Sequence, residues 1–498
     1  MNVNPITRLD YPDPDVIRVE DTYYMVSTTM HFMPGCEILQ SFDLVHWEHV
    51  TYVYETLDHT DAQQLKSGQN IYGQGMWAAS LRYHEGRFYI CFVANDTRKT
   101  YLYTSEKIDG PWKKQLIEGF YHDGSLLFDE DGRNYIVYGN DEIWITELNE
   151  DLTAPKKDGL HRLLVSDHKN PELGYEGSHI QKINGYYYIF LVHSLRDRWM
   201  RTEACFYSDS LEGEFTGGDV LCDDRGYCGQ GVAQGGIVDT PDGKWYAMLF
   251  QDSGAVGRIP ILLPVTWKDH FPFFGQNGHV PEEIEVHSTR PGYIYQPLVG
   301  SDDFCNGLLP RWQFNHDPDP RYYHLDALQG TYTITTREVC TELTQAVNTL
   351  TQRMSYPSCA AEVTVDASAL KDGDVAGLCA LQSCYAAVGI TKHHGKYEVL
   401  MLDKKEDGIL DMTEGIVVES HQIDFRLEAD FCNMKDEARC YYRVNKGDWL
   451  PIGTVHKLYF KLDHFTGCRF GLFCYAAEET GGSACFRDFK YYDVDEIS

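Results

Sequence analysis

A chain of 498 residues exceeds what one ordinary core holds, so two domains are expected, and 43% apolar with 13% aromatic residues supplies ample material to bury. Lys and Arg number 43 against 75 Asp and Glu, a formal charge of −32 and a pI near 4.9, a field that repels phosphate backbones and anionic lipid and so argues against nucleic acid and membrane partners while leaving neutral substrates unaffected. No apolar run reaches membrane-span length, no basic-then-apolar leader opens the chain, and the fifteen Cys fall without CxxC pairs, which together predict a cytoplasmic protein whose cysteines are small core residues.

Along the first 250 residues one strand-pair signature recurs five times, at Asp15–Tyr24, Ser80–Tyr89, Ser125–Tyr135, Ser178–Tyr187 and Gly236–Tyr246. Each copy is a short apolar strand, a turn, and a second strand opening on aromatics. Four of the turns carry Glu-Gly, Asp-Gly or Asn-Gly. A small antiparallel sheet cannot bury both faces alone, so five such repeats predict a five-bladed β-propeller. Gly257–Trp267 continues as a further buried strand, followed by a Gly- and Pro-punctuated stretch through Arg290–Pro297. The signature then stops, which places a propeller domain at 1–299 and a second domain at 300–498.

The second domain reads as short strands at regular spacing: Gly330–Thr335, Ala360–Val365, Tyr397–Leu402, Leu458–Leu462 and Arg469–Phe473. Without the aromatic turn repeat, this pattern predicts a β-sandwich, and the whole chain is therefore all-β. The alternating Phe486–Tyr492 segment is expected to pair beside the strand that opens the domain.

Aligned on their strand pairs, the five repeats put Asp13, Ala78, Asp123, Glu176 and Gln234 in register, each two residues ahead of its strand. Equivalent blade positions share a radius and height, so these side chains should converge at one end of the central channel. Three would be carboxylates. Crowding acids costs stability, and a fold that does so usually needs them for chemistry. Two carboxyls facing a glycosidic bond, one protonated to help the leaving group and one ionised, are the machinery of glycoside hydrolysis, and a third tunes the donor by like-charge repulsion. Taken singly, Asp13 between Pro12 and Pro14 and Asp123 before Gly124 also suit turn residues. Glu176, flanked by Gly174 and Gly177, does not suit a turn. Trp77 reads as a sugar-facing platform or a strand-end core residue, with Phe32 and His31 weaker candidates of the same kind. His122 and His179 flank two of the acids without metal-ligand spacing.

The chain resembles glycoside hydrolase family 43, the xylosidase and arabinofuranosidase type, in Tyr11–Asp15 with Asp21–Tyr24, Met33–Gly35, Ser41–Trp47, Gly75–Ala78, His122–Ser125 and Tyr175–His179. Arg311–His316, Asn348–Arg353 and Gly373–Gly377 are similar to the concanavalin-like β-sandwich appended to such enzymes. The resemblance implies an inverting five-bladed propeller enzyme with Asp13 as general base, Asp123 as pKa modulator and Glu176 as general acid. It also implies that Arg258 reaches the sugar and the neighbouring acid. Two departures stand out. Gln234 replaces a histidine that the family associates with a hydrated channel metal, and no proline follows Trp77-Ala78. No metal ligand set and no required cofactor are expected, with calcium left open as a structural ion.

The expected activity is therefore exo-acting release of terminal α-L-arabinofuranose or β-D-xylopyranose from neutral hemicellulose oligosaccharides. Two other readings stay open: a non-catalytic sugar-binding propeller, and an endo-acting arabinanase or xylanase with an open groove. Arabinoside or xyloside preference and oligomeric state are not legible in the sequence.

Overall fold

The computed structural model describes residues 2–493. Five four-stranded antiparallel sheets follow one another in chain order. The blades are built from Asp15–Val19, Thr22–Val26, Gly35–Ser41 and Glu48–Tyr54; then Met76–His84, Arg87–Ala94, Lys99–Ser105 and Lys113–Ile117; then Ser125–Phe128, Asn134–Asn140, Glu142–Leu148 and His161–Ser166. Glu176–Ile183, Tyr186–Ser194, Arg201–Ser208 and Thr216–Leu221 form the fourth, and Val232–Asp239, Trp245–Asp252, Arg258–Lys268 and Phe271–Phe274 the fifth. The first strand of each blade contacts the first strand of the next, and the fifth returns to the first, which closes the ring. Asn2–Val3 pairs with Glu283–Ile284 across the ends of the propeller.

Hydrogen bonds between first strands join the blades. Asp15 accepts from the Leu81 N–H (2.7 Å), Ser80 from the Leu126 N–H (3.2 Å) and Ser125 from the Ile180 N–H (3.1 Å). The Arg82 guanidinium crosses the channel and donates to Asp15 (2.8 Å), to Ser125 (2.7 Å) and to the carbonyls of Leu126 (2.9 Å) and Ile180 (3.2 Å). One partly buried cation thus ties residues of four blades, its own included, through charge-assisted hydrogen bonds.

The remaining strands form a sandwich of a nine-stranded and a seven-stranded sheet around one large apolar core. Ser483–Asp493 pairs with Thr331–Thr335 on one side and Ser358–Asp366 on the other. Thr331–Thr335 is not the strand that opens the domain, however. Gln313–Asn315 comes first and lies in the opposite sheet, where its outer neighbour is Phe32–Met33 from the propeller.

That pairing corrects the expectation for Phe32. Its ring is fully buried in a separate apolar cluster with Tyr385 and Phe473, on the face of the nine-stranded sheet turned away from the sandwich core, with the Arg469 guanidinium 3.5 Å from its centroid, and it does not line the cavity described below. His31 is buried with it. A second correction concerns Leu458–Leu462: the strand ends at Lys457, and the apolar residues that follow form a loop whose Leu462 is 72% exposed. A short apolar run reads alike as a buried strand or as a loop that packs its rings onto another domain.

Candidate active site

The first strands of the blades begin around a cavity of 590 Å³ whose lining includes Asp13, Trp77, Asp123, Glu176, Gln234 and Arg258. Asp13 (φ 52°), Ala78 (φ 31°), Asp123 (φ 48°), Gly177 (φ 66°) and Gln234 (φ 65°) all adopt the left-handed backbone conformation, costly for any residue but glycine. That shared turn re-aims each chain as it enters its strand. In the fourth blade the turn residue is Gly177, so Glu176 stands one residue upstream of the expected register. The ladder agrees: Glu176 faces Val192 as Trp77 faces Val93 and Ala233 faces Phe250, each followed by a bulge that resumes at His179, Ser80 and Gly236. Glu176 is thus the counterpart of Trp77: the turns Glu85-Gly86 and Asn184-Gly185 set His179 against Ser80, whereas matching the repeats on their leading serines sets Ser178 there.

The three acids differ in their surroundings. Asp13 is buried, accepts from the Thr28 hydroxyl (2.5 Å), and pairs with the Arg258 guanidinium (3.1 Å). Thr28 in turn accepts from the Ala78 N–H (2.8 Å), which couples the first two blades at the site. Asp123 is buried and accepts from the Gly177 N–H (2.9 Å). Burial pushes its carboxyl up to about 6, with Glu176 and Asp13 adding to the rise and His122 opposing it. Glu176 is the most open of the three, its side chain 18% exposed, and it accepts from the Asn140 amide (2.7 Å).

His122 lies between two acids, its Nε2 3.5 Å from Asp123 Oδ2 and 3.4 Å from Glu176 Oε2. The charge of Asp123 is the chief cause lifting its imidazole to about 9, against burial, with Glu176 and Asp13 assisting. Around neutral pH an imidazolium therefore stands beside an ionised Asp123. Arg258 lies over the Phe465 ring at 4.3 Å, and its backbone N–H donates to Asp10 (2.7 Å), which also accepts from the Gly467 N–H (2.8 Å) of the sandwich.

The sandwich completes the cavity with Met434, Phe460, Lys461, Leu462 and Phe465. Trp77 faces Phe465 across a ring separation of 5.3 Å and His122 at 6.3 Å. Gln234 lines the cavity with its side chain packed against Gly177. The sequence reading did not find Asn140, Arg201, Asp252, Trp199 or the sandwich residues. Nothing in a linear pattern marks them, because each reaches the site from a strand end or from a loop distant in sequence.

Among the described residues, one group brings three metal-ligating side chains together, His122, Asp123 and Glu176, with ligand atoms within 4.8 Å of one another. His122 thus has a metal-ligand arrangement in space that its sequence spacing hides, although its partners are the acids themselves. Gln234 offers no anionic ligand to a metal ion, and in the channel below Arg82 places a fixed cation on the Asp15 carboxylate, the Ser125 hydroxyl and the carbonyls of Leu126 and Ile180.

A closed five-bladed ring with three carboxyls in one cavity, joined to a β-sandwich, defines a class of carbohydrate-active enzyme. The chain belongs to the glycosyl hydrolases family 43: residues 3–272 match that family, and residues 301–492 match the concanavalin A-like C-terminal domain of β-xylosidases. It is a glycoside hydrolase, and its substrate is a carbohydrate. It is 26% identical to a β-xylosidase of Formosa agariphila, over 99% of this chain and 89% of that one. To a non-reducing-end α-L-arabinofuranosidase of Bacteroides ovatus it is 26% identical over 66% of this chain and 63% of that one. The structure of a bifunctional GH43-CE protein of Bacteroides eggerthii superposes with a TM-score of 0.93 at 42% identity, covering all of this chain and 64% of that protein's length.

Proposed function

We propose that the protein is an inverting, exo-acting pentosidase that releases terminal α-L-arabinofuranose or β-D-xylopyranose from hemicellulose oligosaccharides. The observation that carries this reading is the enclosure of Asp13, Asp123 and Glu176 in one cavity walled on the far side by the sandwich loop. A groove open at both ends would suit an endo-acting enzyme; a cavity bounded on the sandwich side by Phe460 and Phe465 suits attack on a chain end.

Asp13, fixed by Arg258 and Thr28, acts as the base that activates water. Glu176, the most open acid, protonates the leaving oxygen. Asp123 acts through Glu176 and His122 rather than on the sugar. Trp77 and Arg258 hold the terminal pentose, with Gln234 beneath it. No step requires a metal ion. The relatives' names support both pentoses, β-xylosidase more often than α-L-arabinofuranosidase. Fifteen cysteines, all of them free thiols, suit a reducing cytoplasm.

Release from nitrophenyl arabinofuranoside and nitrophenyl xylopyranoside, measured side by side and then on arabinoxylo-oligosaccharides, tests the activity, and NMR of the first-formed anomer tests inversion. Retained configuration would remove Asp13 as base, and binding without turnover would favour a sugar-binding propeller.

A further inference from the structure

Two side chains at the mouth of the cavity make no hydrogen bond to the three acids. Trp199 lines the cavity yet keeps 43% of its surface exposed. It sits on a turn closed by the Leu195 N–H donating to the Met200 carbonyl (3.2 Å) and by the Met200 N–H donating to the Ser194 hydroxyl (2.8 Å). Arg201, two residues on, is buried and gives its Nε–H to Asp252 (2.8 Å), with its guanidinium 5.2 Å from the Trp199 ring centroid. Its two terminal nitrogens make no hydrogen bond among the described residues and, unlike the Nε of Arg258, are not sealed from the cavity.

The turn is anchored beside Glu176. The Ser194 N–H donates to the Leu173 carbonyl (3.0 Å), and the Asn170 amide donates to the Ser194 carbonyl (2.8 Å), so both ties fall on the segment that leads into Glu176. A group protonated by Glu176 departs on that side.

Resting on the proposed function, we propose that Trp199 and Arg201 form the binding site for the leaving sugar unit, the ring on the reducing-end side of the cleaved bond. An exposed indole face matches the C–H face of a sugar ring, and a guanidinium edge with free N–H groups matches hydroxyl oxygens. Asp252 neutralises the charge of Arg201, so the pair selects a neutral sugar. Lys461, held by Glu406, and Leu462 supply the facing wall from the sandwich.

The test compares two substrates with the same terminal pentose: a glycosyl fluoride, whose leaving group has no ring, and a pentose oligosaccharide. Trp199→Ala should lower kcat/KM on the oligosaccharide about tenfold more than on the fluoride, and Trp199→Phe should recover most of that difference. Arg201→Lys, which keeps the charge beside Asp252 but loses the fork, should also lose more on the oligosaccharide. Equal losses on both substrates, or none on either, overturn the assignment. A wild-type enzyme that releases pentose from neither overturns the proposed function and this assignment with it.

Discussion

At the scale of the residue, the site separates two carboxyls by their neighbours. Asp13 pairs with a guanidinium, whereas Glu176 faces an amide and an imidazole and is partly exposed. Replacing either with Ala should lower kcat by about 10²–10⁴-fold on an unactivated oligosaccharide without unfolding the propeller. On a nitrophenyl glycoside, whose leaving group needs little protonation, Glu176→Ala should lose less than Asp13→Ala, and the reverse order would exchange the two roles. His122 changes what Asp123 is expected to do. Since His122 is lifted to about 9 chiefly by Asp123, the two form a pair of cancelling charges near neutrality. Asp123→Asn removes the anion and with it the reason for the imidazole to stay protonated, so the alkaline limb of the kcat profile should move little. His122→Asn instead leaves an anion facing the proton donor without its cation. The donor then loses its proton less readily, and the alkaline limb should move to higher pH. An unmoved limb would place the imidazolium outside the donor's field.

At the scale of the element, function depends on one backbone turn repeated at the head of each blade. Gly177 is the single glycine among the five turn residues, and a Cβ there would come within 2.7 Å of the Gln234 side chain while its N–H holds Asp123. Gly177→Ala should therefore displace both and lower kcat by about tenfold or more, while the left-handed backbone costs about 1 kcal/mol of stability. An unchanged rate would mean that Gln234 and Asp123 have room to move. The five blades were legible because an apolar strand, a turn and an aromatic strand recur at a spacing that only stacked sheets satisfy. The one-residue offset of Glu176 arises from matching the repeats on their leading serines, because the bulge is common to the blades and only the turns Glu85-Gly86 and Asn184-Gly185 set Ser80 against His179.

At the scale of the whole molecule, the two domains meet through buried polar groups. Arg353 of the sandwich donates to Glu37 of the first blade (2.8 Å) and to the Asp10 carbonyl (2.9 Å), and lies 4.1 Å from the Tyr11 ring centroid. Burial opposes ionisation of Glu37, but Arg353 and His49 outweigh it and hold the carboxyl at about 2. Its contribution is present above the ordinary carboxyl range and lost as pH falls through about 2. Glu37→Gln leaves a buried guanidinium without its anion and should cost about 3 kcal/mol in urea unfolding at neutral pH. A loss below about 1 kcal/mol would show that the interface adjusts around the arginine. Close by, His31, His316 and His464 pack with ring separations of 4.8 Å and 5.1 Å from His31, and Arg469 is the charged group that faces them. Burial is the main cause holding all three imidazoles below their ordinary range, His464 at about 3. Groups depressed in this way stabilise the fold above the ordinary imidazole range and cost stability as pH falls below it. The melting temperature should therefore drop between pH 7 and pH 5, well above the range in which Glu37 titrates. A flat profile over that interval would mean that the three rings accept protons without parting the domains.

Sequence alone determined the repeat, hence the propeller, its three acids and the family they point to, because local hydrophobic alternation and turn chemistry act over a few residues and leave a readable period. Arg258 beside Asp13 was legible only through the resemblance, since 245 positions separate the pair. Tertiary structure decided the rest. Phe32 left the site for an apolar cluster on the outer face of the nine-stranded sheet because a two-residue strand of the propeller pairs with the other domain, and Phe460 to Leu462 became a cavity wall, with the Phe460 ring against Phe465 and under the Arg258 guanidinium rather than in a sheet. Which face a ring buries is settled by what stands opposite it, and for those residues that partner lies hundreds of positions away.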